Sequence, residues 1–139
     1  MRLSHLMAAA MLAPALALAG ETPAPEGAEV YFIGIEDGAT VSNPVTIQFG
    51  AKGIGIAPAG VEHANTGHHH LIINEVIEGD ELALPIPADD QHRHFGGGQT
   101  EVTVELPEGT HTLQLVMGDQ NHIPHDPPIM SDRITVTVE

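Results

Sequence analysis

The sequence predicts an all-β fold, a small immunoglobulin-like antiparallel β-sandwich of about seven short strands. Three observations carry that expectation. Apolar and polar residues alternate at Val45–Phe49, Thr100–Leu106 and Thr110–Met117, the mark of strands with one face in a core. Turn signals such as Asp37-Gly38, Asn43-Pro44 and Pro107-Glu108-Gly109 stand between the runs. No segment sustains the period of an amphipathic helix. The chain has no Cys and no Trp, so the Cys-Trp-Cys signature of true immunoglobulin domains is missing and the architecture alone is implied.

Residues 1–19 read as a secretory signal peptide. Arg2 gives a positive start, Leu6–Ala19 is rich in Ala and Leu, and Ala17-Leu18-Ala19 fits a processing site. The apolar run is shorter than the roughly 20 residues that a membrane span needs. No Cys follows to carry a lipid anchor. The mature chain is expected to start at Gly20, with residues 20–29 as a flexible leader containing Pro23, Pro25 and Gly27, and residues 30–139 as a single sandwich domain. A periplasmic or secreted location follows, with no membrane insertion after cleavage.

Val30–Ile35 suits a first strand. Val45, Ile47 and Phe49 face the core from a second. Gly50–Gly67 is a long loop of small residues, and His68–Val76 is the next strand. Glu81–Ile86 is at best a short edge strand, because Pro85 and Pro87 interrupt it. Val102, Val104 and Leu106 point inward from one strand, Leu113, Leu115 and Met117 from the next, and Ile134, Val136 and Val138 from the last.

Composition narrows the function. The formal charge is −15, and it becomes one more negative once Arg2 is removed. Such a surface repels nucleic acid and anionic lipid and attracts cations, although acidity alone also serves solubility. Without Cys there is no thiolate ligand or thiol nucleophile, and blue-copper electron transfer is excluded. No Ser-His-Asp arrangement is evident, so binding is favoured over catalysis.

The chemistry lies in the histidines. Gly67-His68-His69-His70 runs into an apolar strand, His92-Arg93-His94 lies in a second loop, and His122-Ile123-Pro124-His125 in a third. His68 and His70 share a face on a strand, and so do His92 and His94. A proline fixes the bend between His122 and His125. Neutral imidazole suits copper, zinc and other borderline metals. The candidate metal ligands are therefore His68, His70, His92, His94, His122 and His125, with copper the expected ion and zinc the alternative. Asp89, Asp90, Asp119 and Asp126 are candidates to orient imidazoles or to join them as ligands. His63 and His111 read as structural, and His69 points away from its neighbours. Met117 reads as core, and Met130 reads as packing rather than a soft ligand. Binding is expected to weaken below about pH 6, as imidazoles protonate near 6.5.

The strand order brings these groups together. Thr100–Leu106 and Thr110–Met117 are expected to form a hairpin through Pro107-Glu108-Gly109. The loops before and after it then meet at one end of the sandwich, with His111 at the other. His68 and His70 join them on the expectation that Glu81–Ile86 is a strand; otherwise His68 starts at the far end.

The stretches FGAKGIGIAPAG, NTGHHHLII, PIPADDQHRHFGGGQTE and HTLQLVMGDQNHIPHDPPIMS resemble an exported bacterial family catalogued as domain of unknown function 4399. The resemblance covers Val45–Ser131 and implies a periplasmic or secreted single domain. It implies no activity.

Three functions fit these residues. The first is a metal-binding module that binds, buffers or delivers copper, with another periplasmic metal-handling protein as partner. The second is a Cu/Zn metalloenzyme with superoxide-dismutase-like ligation. The third is an envelope interaction module whose histidines are structural or sense pH.

Overall fold

The computed structural model describes residues 20–139; the expected signal peptide lies outside the described residues. Among the described residues nine strands follow in order: β1 (Glu29–Ile33), β2 (Ala39–Val41), β3 (Val45–Lys52), β4 (Gly55–Ile56), β5 (Thr66–Ile73), β6 (His92–His94), β7 (Glu101–Val104), β8 (Gly109–Gly118) and β9 (Ile134–Val138). Six of the seven expected strands are among them, and the other three, β2, β4 and β6, have only two or three residues each. One sheet runs β1-β3-β7, and the other runs β2-β9-β8-β5-β4 with β6 also paired to β5. The long pairs are antiparallel, while the short pairs β2–β9 and β4–β5 are parallel.

The alternating residues do what their period requires. Val45, Ile47 and Phe49 of β3 meet Leu71, Ile73, Leu113, Leu115, Met117, Val136 and Val138 in one core between the sheets. Val104 and Leu106 join it, and Val102 packs at its margin. Met117 is fully buried there, as expected.

The expected hairpin does not form. β7 pairs with β3, through Val45 opposite Val104, and β8 lies between β5 and β9 in the other sheet. Pro107-Glu108 thus carries the chain from one sheet to the other. Alternation fixes which face of a strand is buried but not which strand lies beside it. The Asn43 side chain fastens the exit of β7 to the entry of β3. Its Nδ2 donates to the Leu106 carbonyl at 2.6 Å, and its Oδ1 accepts from the Leu106 N–H at 3.0 Å.

Nor is Glu81–Ile86 a strand. Gly79–Ala83 forms a 3-10 turn, and an irregular segment continues to Pro87. Pro85 and Pro87 have no N–H to give to a ladder. The chain reversal expected of that strand is made instead by β6, antiparallel to β5 with His94 opposite His70.

β5 is buried on both faces, which is why HHHLII does not alternate in polarity. Its inner face carries His69, Leu71 and Ile73. On its outer face Ile72 joins Val116, Ile77 and Ile86 in a second, smaller core, with Leu82 and Met130 packed on it. The segment from Ile77 to Ile86 is therefore a cover over the outside of the sheet. The expected leader also lies against the body. Ala24 N–H donates to the Asp126 carbonyl and Asp126 N–H to the Thr22 carbonyl, each at 2.9 Å.

Candidate metal centre

The cluster forms on the outer face of the larger sheet, where β5 begins. His68 and His70 project from β5 two residues apart, so strand alternation puts both rings on one side, 4.5 Å between centroids. His69 projects to the other side and packs 5.0 Å from the Phe49 ring. Gly118, the last residue of β8, stands opposite His68. A Cβ there would lie 2.9 Å from Nδ1 and 3.3 Å from Nε2 of His70. The missing side chain is the space that the His70 ring occupies.

His122 arrives from the loop after β8. Asp119 builds that loop: its Oδ1 accepts from the N–H groups of Asn121 at 2.8 Å and Ile123 at 3.0 Å, and its Oδ2 accepts from the Thr22 hydroxyl at 2.7 Å. His122 itself has φ 63°, a left-handed conformation that costs a residue with a side chain roughly 1–3 kcal/mol. Two backbone bonds hold it there, from His122 N–H to the Asp119 carbonyl at 3.0 Å and from Ile86 N–H to the His122 carbonyl at 2.8 Å.

The result is convergence. His122 Nδ1 lies 3.0 Å from His68 Nε2 and 3.2 Å from His70 Nε2, and each of the three rings offers a nitrogen within 4.8 Å of the others. Imidazole nitrogens at the usual distance from a tetrahedral ion sit about 3.3 Å apart. The spacing is thus that of a coordination site. His94, on β6 opposite His70, brings a fourth ring 4.4 Å from both His70 and His122. Its Nε2 donates to the Pro87 carbonyl at 2.7 Å, which leaves Nδ1 with the free lone pair.

Electrostatics keep these rings in the ligand form. Desolvation, then the neighbouring His122, lowers the His68 pKa to about 4. Desolvation, then the His68 charge, lowers that of His70 to about 2. His122 is lowered too, by desolvation and then by His94, with Asp119 opposing. Loss of binding is therefore shifted below the pH of about 6 expected for unperturbed imidazole.

The other candidates lie elsewhere. His92 stands opposite Ile72, two pairs along the strand from His94, and its Nδ1 is 2.7 Å from Asp89 Oδ1. His125 is buried, with Nε2 3.2 Å from the Thr66 carbonyl. It sits beside Gly67, whose absent Cβ would be 2.9 Å from His125 Cε1; Gly67 faces the opposite way from His68 along the strand. His111 hydrogen-bonds Asn74 and the Pro107 carbonyl at the other end of β8, and His63 lies exposed beside the Ala64 carbonyl. Sequence reasoning missed Gly118, Ile86 and Pro87. A glycine closing an apolar strand beside a histidine-rich one was a signal for the first; the two backbone clamps left none.

No curated protein and no solved structure matches this chain. A family model does match, over residues 47–139, which contain all the converging histidines. The chain belongs to the family described as Domain of unknown function (DUF4399).

Proposed function

We propose that this protein is an exported metal-binding protein that binds and passes on copper, with zinc the alternative ion. The observation that carries this reading is the convergence of one ring nitrogen each from His68, His70 and His122 within 4.8 Å. His94 is the fourth imidazole, using Nδ1. Cu(II) outranks Zn(II) at nitrogen sites by the general affinity order. The Nδ1 atoms of His68 and His70 have no hydrogen-bond partner among the described residues. Metal-bound histidines ordinarily donate that second N–H, and its loss weakens affinity about 10–100-fold. This supports a site that exchanges its ion, as buffering or delivery requires.

Metal analysis of the full chain, exported and purified without a histidine tag, tests the reading. About one equivalent of copper or zinc is expected; protein that neither contains nor takes up either ion at neutral pH refutes it. N-terminal sequencing of the same sample should begin at or next to Gly20. Three histidines with a fourth position less firmly held also suit a metalloenzyme. Superoxide or hydrolytic turnover by the loaded protein would favour that second reading.

Gly118→Ala provides a local check. The added methyl must displace the His70 ring, so copper affinity is expected to fall at least about tenfold. Unchanged affinity in an isothermal titration would show that His70 is not held where it is needed.

A further inference from the structure

The cover segment that clamps His94 and His122 also walls a cavity of about 290 Å³, near the lower end for small-molecule pockets. Its apolar surface comes from Val76, Ile77, Leu84 and Ile86, and Val76 and Leu84 are 42% and 57% exposed. The wall is fixed rather than loose. Ile86 is bonded to the His122 carbonyl, Leu84 N–H donates to the Glu81 carbonyl at 3.1 Å, and Pro87 accepts from His94.

The polar groups of this cavity are Glu75, Glu81 and His92. His92 is oriented by Asp89, whose Oδ1 meets Nδ1 at 2.7 Å and also accepts the His92 N–H at 2.9 Å. A neutral His92 thus donates from Nδ1 and keeps Nε2 as an acceptor. No lysine or arginine lines the cavity among the described residues. Every polar side chain that a ligand would meet there is an acceptor or an anion, beside an apolar wall.

We infer that this cavity binds a small amphiphilic cation, a primary ammonium on a short apolar body. The ammonium would sit among His92 Nε2 and the carboxylates of Glu75 and Glu81, with the body against Ile77, Leu84 and Ile86. Charge complementarity selects this occupant over a fatty acid or a neutral alcohol of the same length.

Titration of n-hexylammonium into the full processed chain, followed by NMR, tests the inference. A chelator is included so that the amine cannot act as a metal ligand. Saturable shifts of the His92 ring and of the Val76, Ile77 and Leu84 methyls are expected, with hexanoate binding at least about tenfold more weakly. Glu75→Gln with Glu81→Gln, both at the surface, should weaken hexylammonium about tenfold and leave 1-hexanol unaffected. The inference is overturned if hexanoate or 1-hexanol binds as tightly as hexylammonium, if the double variant binds it unchanged, or if no saturable shift occurs at these residues.

Discussion

Replacing His122 by alanine is expected to lower copper affinity on the order of a hundredfold, about 2.7 kcal/mol. His122 Nδ1 is the shared partner of both other nitrogens, at 3.0 and 3.2 Å. Its removal leaves the two rings of β5 with His94 alone beside them, too few for a closed four-ligand site. The loop should survive, because Asp119 and Ile86 hold its backbone rather than its side chain. His63→Ala, in the exposed loop before β5, serves as the control and should bind as the parent does. An equal loss in both variants, or in neither, would count against the cluster as the binding site.

The second large effect is on acid stability. Desolvation lowers the His69 pKa to about 4, and it is accompanied by about 4 for His68 and about 2 for His70. In the unfolded chain all three titrate near 6.5. Below that value the unfolded state therefore binds more protons than the folded one, and stability falls as pH falls. The contribution is intact above pH 6.5 and is lost progressively towards pH 4, with His70 extending it lower. Each group supplies a slope of about 1.4 kcal/mol per pH unit within its window. Against a total stability of roughly 5–15 kcal/mol, the metal-free protein is expected to unfold between pH 6.5 and 4 in a circular dichroism titration. A metal-free protein equally stable to urea at pH 7 and pH 4 would contradict this account.

His69 sharpens the test. It is fully buried against Phe49, and neither ring nitrogen has a hydrogen-bond partner among the described residues. A buried polar group left unpaired costs about 1–3 kcal/mol. His69→Leu, close in volume, is thus expected to stabilise the protein by about that amount at neutral pH and to flatten its acid dependence. A less stable leucine variant would mean that the imidazole contributes to the core rather than burdening it.

Much of this molecule was legible in the chain because period-two patterning reports burial directly. Val45, Ile47 and Phe49, or Leu113, Leu115 and Met117, could face nothing but a core. The same spacing placed His68 with His70 and set His69 apart. The meeting of His94 with His122 was also anticipated, though through a hairpin that does not exist: β7 and β8 belong to different sheets. Alternation says nothing of strand neighbours, so the route was wrong where the juxtaposition was right. His68 likewise reached the cluster without the strand expected at Glu81–Ile86, because β6 makes the reversal. The side taken by His125 depends on how one proline-bent loop, bridged to β8 through Pro124 and Gly118, carries it to the start of β5. The outer cover depends on backbone bonds from Ile86 and to Pro87. Neither is encoded in a residue pattern.

The central claim is that three imidazoles from β5 and the loop after β8 hold one ion. A Cu(II) titration of the untagged protein, repeated with His68→Ala/His70→Ala/His122→Ala, measures it most directly. The wild type should bind one equivalent, with an electron paramagnetic resonance spectrum showing imidazole nitrogen coupling, and the triple variant should lose both. Binding of the same stoichiometry with the same nitrogen coupling in the triple variant would place the metal elsewhere and contradict the account.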